Sequence, residues 1–183
     1  MKLTPIKKMV ITAVFSALCV VLPMIFHAFP NGGNIFLPMH IPVLLCGLIC
    51  SWPYGFVCGI IGPLLSSLIT GMPPAAFLPV MMVECAVYGC VAGAMMRLVF
   101  TKKVVADLYI SMGTAMVLGR VVAGFAKAYI FTPGVSPFAW VTTSLIQGIP
   151  GICIQLVLIP LLVAALMRAK LLPQRYQQGA ACE

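Results

Sequence analysis

The sequence predicts an all-α integral membrane protein of about six transmembrane helices, with both termini cytoplasmic. Three observations predict it. The chain of 183 residues is 62% hydrophobic and 8% charged, with a mean hydropathy of +1.14, a composition that places most of it in lipid. Its apolar runs do not alternate with polar residues, and inside hydrocarbon only helices or closed barrels satisfy the backbone, so the runs are helices. Its basic residues, Arg120 and Lys127 excepted, lie at the amino end (Lys2, Lys7, Lys8), in the fourth connection (Arg97, Lys102, Lys103) or in the tail (Arg168, Lys170, Arg175), all on one side of a six-helix chain. The positive-inside rule makes that side cytoplasmic.

In order, the runs and their breakers place helices near 8–29, 37–52, 54–71, 75–99, 105–131 and 139–167, in a single transmembrane domain spanning 1–183. The first run, from Met9 to Phe26, exceeds a signal-peptide core and is followed by no A-x-A site, so it is retained as a helix. The second and third are short and carry Pro38, Pro42 and Pro63, so either they span or they form a re-entrant pair buried in protein. The connections 30–36, 72–74 and 132–138 on the opposite side carry no charge, and Tyr129 and Trp140 fall near that interface.

Polar residues within these runs are the functional candidates, because charge in lipid is costly and is retained for a use. They are His27, His40, Glu84, Arg120 and Lys127, joined by Tyr88 and Gln147. At about 1.5 Å per residue, Glu84 and Arg120 lie at similar depths in the outer leaflet, and Lys127 follows Arg120 by seven positions on nearly the same face. Two readings stay open. Glu84 and Arg120 neutralise each other between helices while Lys127 snorkels to headgroups; or the three form a basic pocket, open to the outside, for a polar or anionic solute. His27, at the end of the first helix, has a structural role. The segment Phe29-Pro30-Asn31-Gly32-Gly33-Asn34 suits either a mobile lid over such a pocket or an ordinary loop.

Several classes are set aside. The net charge of +8 is spread over three membrane-flanking segments, which fits topology and anionic lipid and leaves nucleic-acid binding without support. Of eight cysteines, seven lie in apolar runs and read as small hydrophobes, so neither a metal site nor a cofactor is expected. Catalysis would need a nucleophile with its base: Cys85 and Glu84 diverge around the helix, and no serine has a histidine at helical spacing, so no enzyme is expected. A self-sufficient proton-coupled carrier is the alternative, since Glu84 with Arg120 also suits a proton relay. Small carriers ordinarily need a repeat or a dimer, and the two halves show no convincing inverted repeat.

The pair Ala13-xxx-Ala17, the segment Leu37-Pro38-Met39-His40-Ile41-Pro42-Val43-Leu44-Leu45-Cys46-Gly47, the Tyr54-Gly55 turn, and Gly62-Pro63-Leu64-Leu65-Ser66-Ser67 followed by Gly71-Met72-Pro73-Pro74 coincide in one chain. Together they resemble the substrate-binding S components of energy-coupling factor (ECF) transporters, over nearly the whole length. The resemblance implies a vitamin- or micronutrient-binding subunit without ATPase activity, working with a transmembrane coupling protein and two ATPases. The absence of a G-x-x-x-x-G-K-[ST] motif agrees with that division. It further implies that Ala13 and Ala17 dock on the coupling protein, and that the loop containing Asn34 is a lid. The binding residues would be Asn34, His40, Glu84, Tyr88, Arg120, Lys127 and Gln147. Arg120 and Lys127 suit a carboxylate-bearing vitamin such as pantothenate, with folate, cobalamin, riboflavin and pyridoxine-like solutes open. Met39-His40-Ile41 resembles the start of nickel and cobalt S components, but His40 is internal, which argues against a metal substrate.

Overall fold

The computed structural model describes residues 3–26, 35–131, 134 and 136–169. All elements among them are helical: α1 Pro5–Phe26, α2 His40–Cys50, α3 Trp52–Thr70, α4 Leu78–Leu98, α5 Val104–Ala126 continuing into a π-helical turn Lys127–Phe131, α6 Pro137–Gln147 and α7 Ile149–Arg168. Five are long and apolar enough to cross a membrane: α1, α3, α4, α5 with its π-helical extension, and α7. The chain is an all-α membrane protein. His27 and the segment 29–34, Asn34 included, lie outside the described residues.

The second predicted helix, 37–52, is cut down to α2, eleven residues or about 16 Å, too short to cross hydrocarbon. Its physical limits are visible at both ends. Leu37 takes a positive φ of 50°, which no helix accommodates, and Ser51 takes a φ of 98° to turn the chain directly into α3. Of its eleven residues only Ile49 is not fully buried, so α2 is a core element. The third predicted helix, by contrast, spans as α3 and presents Phe56, Val57, Ile61, Leu68 and Ile69 outward.

The last predicted helix, 139–167, is two helices, α6 and α7, broken at Gly148. The reason is local. Pro150 has no N–H for the carbonyl of Ile146 and its ring would collide with that turn, so the chain resets at Gly148 with φ −86° and ψ 0°. Helical bonding resumes at once, Ile152 N–H donating to the Gly148 carbonyl at 2.8 Å.

Glycine contacts hold the centre together. A Cβ at Gly55, Gly59 or Gly89 would overlap the backbone of the facing helix, so α3 and α4 meet backbone to backbone, with Gly47 of α2 wedged against Gly89. Without a hydrophobic driving force in lipid, such close approach is what associates helices. α1 packs on α2 and α3, α5 on α4, and α6 on α5. Ile6, Val10, Val14, Val117, Val157 and Leu161 form part of the apolar outer surface.

Candidate functional site

Polar residues on five helices and the Leu37 carbonyl in the turn that leads into α2 converge inside the bundle, toward the end where its connections carry no charge. His40, the first residue of α2, is 1% exposed. Leu37, whose positive φ turns the chain there, accepts the His40 N–H at 3.1 Å and the side-chain Nε2–H of Gln155 from α7 at 3.3 Å. Gly148 and Gly151 let this turn lie on α7: a Cβ at Gly151 would meet the carbonyl oxygens of Ile35 and Phe36 at 2.7 Å.

From α4, Glu84 reaches His40, with Oε1 3.5 Å from Nε2. One turn on, the Tyr88 ring meets the His40 ring edge-on, centroids 4.9 Å apart. Tyr88 in turn lies against Gly119 of α5, where a Cβ would come within 2.8 Å of the ring, and within electrostatic reach of both Glu84 and Arg120. Arg120, 2% exposed, donates from Nη1 to the Ser144 carbonyl of α6 at 2.6 Å. The break at Gly148 makes room for it, since a Cβ there would stand 2.7 Å from Nη2.

Among the described residues, the buried side-chain nitrogen and oxygen atoms without a hydrogen-bond partner are His40 Nδ1 and Nε2, Glu84 Oε1, and Arg120 Nε and Nη2. All five belong to this one cluster. An unmet buried polar atom costs the chain its desolvation, and such atoms are rare in folded proteins. The pair on Arg120 is informative. Nε–H and Nη2–H point the same way on one edge of the guanidinium, the edge that takes both oxygens of a carboxylate or two of a phosphate. The described residues show no group of three or more metal-ligating side chains placed to hold a metal ion.

Two further expected residues, Lys127 and Gln147, lie apart. Lys127, half-buried, faces α6 as Arg120 does, but its ammonium sits over the rings of Phe77 (5.2 Å) and Trp140 (5.4 Å). Gln147 is exposed at the end of α6. Asn34 lies outside the described residues. Glu84 meets His40 rather than forming an ion pair with Arg120. Gln155 and the Ser144 carbonyl were not anticipated. Gln155 could have been found by the rule that singled out the charges, being a polar residue within the last apolar run. The Ser144 carbonyl was signalled only indirectly, by the breaker Gly148-Ile149-Pro150-Gly151.

The family model described as "ECF transporter, substrate-specific component" matches residues 7–163. The chain belongs to that family. It is a substrate-specific component of transmembrane transport, not a member of an enzyme family, and its match runs from the first helix through most of α7. Comparison with individually curated proteins returned no match.

Proposed function

We propose that this ECF substrate-specific component binds a carboxylate-bearing vitamin or vitamin-like micronutrient from outside a prokaryotic cell. It delivers that solute through a partner module of one coupling protein and two ATPases. The observation that carries the reading is that Arg120 Nε and Nη2 are buried without a hydrogen-bond partner, in the same cluster as His40 Nδ1 and Nε2 and Glu84 Oε1. A carboxylate satisfies that edge with two charge-assisted bonds, while Glu84, His40 and Tyr88 are placed to orient hydroxyl, amide or ring-nitrogen groups. A pantothenate-like solute fits these chemistries.

Docking is assigned to α1. Thr12, Phe15, Ser16, Cys19 and Val20 face the bundle, whereas Ala13 and Ala17 are exposed one turn apart among Val10, Val14 and Val21. Small residues on an outward face allow another helix to approach closely. Replacing both alanines by leucine is expected to abolish co-purification with the coupling protein and ATP-dependent uptake, while the isolated chain keeps its solute affinity. Loss of binding and assembly together would contradict separate faces. Uptake by the chain alone, without ATPases, would favour a proton-coupled carrier.

A further inference from the structure

Charge counting at the site points to a second component of the bound state. Taking the solute-free site with Glu84 ionised and His40 neutral as part of the proposal, Arg120 contributes one positive charge and Glu84 one negative, while Lys127 stands apart over the rings of Phe77 and Trp140. A carboxylate placed on Arg120 therefore leaves the site with a net negative charge, enclosed in a bundle whose outer surface is apolar. An uncompensated buried charge is strongly disfavoured. His40, 3.5 Å from Glu84 and without a hydrogen-bond partner on either ring nitrogen, is the group that can restore neutrality by taking up a proton.

We propose that the site takes a monocarboxylate together with one proton, the proton being held by the His40–Glu84 pair, so that solute affinity falls as pH rises. The inference rests on the assignment of Arg120 as the carboxylate anchor. The loaded site then holds two neutral pairs, Arg120 with the solute carboxylate and protonated His40 with Glu84, with Tyr88 between them. The proton comes from bulk water, one for each solute bound.

The surroundings of His40 leave this pair as the proton acceptor. From α4 it is faced by Glu84 and Tyr88, with Cys85 adjoining Glu84. From α5, Arg120 reaches the same group through Tyr88. From α1 the nearest titratable group is the Cys19 thiol, occupied with the Met39 carbonyl at 3.7 Å. From α3, Cys58 lies deeper, against Ser16. α7 presents Gln155, which does not titrate. The sign follows from linkage: binding favours the protonated pair, so affinity is highest at low pH. The uptake of one proton sets the steepest fall at about tenfold per pH unit.

The test is calorimetric titration of the full detergent-solubilised chain with pantothenate, biotin and nicotinate as monocarboxylate probes. It is run across the range in which histidine titrates and in buffers of different ionisation enthalpy. For a probe that binds, the expected result is a Kd that rises with pH and a heat that varies with the buffer in proportion to one proton taken up. Glu84→Gln is expected to bind the same probe more tightly than the unaltered chain at high pH and without pH dependence, because the negative charge that calls for the proton is gone. A merely structural role for Glu84 predicts the reverse. An affinity independent of pH, with heat independent of buffer, overturns the proton uptake and leaves the carboxylate anchor standing. Absence of binding for all three probes at every pH overturns both. Measurements on the unaltered chain decide the matter even where the variant fails to fold.

Discussion

Two groups of polar side chains lie against the short buried helix α2, one at each end, and they have been settled in opposite ways. At the carboxyl end, Cys46 and Cys50 of α2 lie near Thr12 and Ser16 of α1 and Cys58 of α3. The hydroxyls are met within their own helix, Thr12 by the Lys8 carbonyl at 2.7 Å and Ser16 by the Thr12 carbonyl at 2.9 Å. The Cys46 thiol finds the Tyr54 carbonyl at 3.5 Å. At the amino end, His40, Glu84 and Arg120 hold five buried atoms with no hydrogen-bond partner, among them the His40 Nε2 and Glu84 Oε1 that face each other at 3.5 Å. The first group consists of small, weakly polar side chains that pack as hydrophobes. The second consists of large charged or chargeable ones whose desolvation the bundle offsets only in part, through the Arg120–Ser144 hydrogen bond and the His40–Glu84 contact. A buried group of that kind is where a ligand from outside the chain can complete the bonding, and this contrast supports the proposal of a solute site at the amino end of α2.

Substitutions at the two ends should therefore diverge. The largest effect is expected for Arg120→Met, which removes the proposed carboxylate anchor: solute affinity should fall by about 100-fold or more. The chain should still elute as a folded species, since replacing a buried cation by an apolar residue removes a desolvation cost. Calorimetry alongside thermal unfolding checks both halves. Gly148→Ala comes next. Its φ of −86° is open to alanine, so the substitution acts through space alone, bringing a methyl to 2.7 Å from Nη2 and 3.0 Å from the Ser144 carbonyl. Displacement of the guanidinium should cost about tenfold in affinity, one misaligned charge-assisted bond, and restoring glycine should recover it. The smallest effect is expected for Cys58→Ala at the other end. A lost thiol contact there should lower the unfolding temperature slightly, with a cost of about 1 kcal/mol, and leave solute affinity within about twofold. A Cys58→Ala loss as large as that of Arg120→Met would break the comparison.

Much of this was legible in the sequence, for identifiable reasons. Long apolar runs carry their own helical assignment, and four of the six, those containing α1, α3, α4 and α5, exist as single helices close to their expected bounds. The charged residues that a lipid environment singles out, Glu84 and Arg120, do lie inside the bundle, along with His40 and Tyr88. What was not legible depends on backbone detail. Apolar composition does not tell a spanning helix from one enclosed in protein, so the brevity of α2, set by Leu37 and Ser51, was hidden. Hydropathy runs uninterrupted through Gly148 and Pro150, which concealed the break and with it the Ser144 carbonyl that holds Arg120. Pairing is likewise a three-dimensional matter: similar depth left open whether Glu84 meets Arg120, whereas packing gives Glu84 to His40 and Lys127 to two aromatic rings.

The most direct test of the central claim, that the unmet cluster is the solute site, is mass spectrometry of the small molecules that co-purify with the unaltered chain and with Arg120→Met. A carboxylate-bearing compound should be retained by the unaltered chain and be missing from a folded Arg120→Met sample. The same compound retained in equal amount by both, or a bound compound with no anionic group, would contradict it.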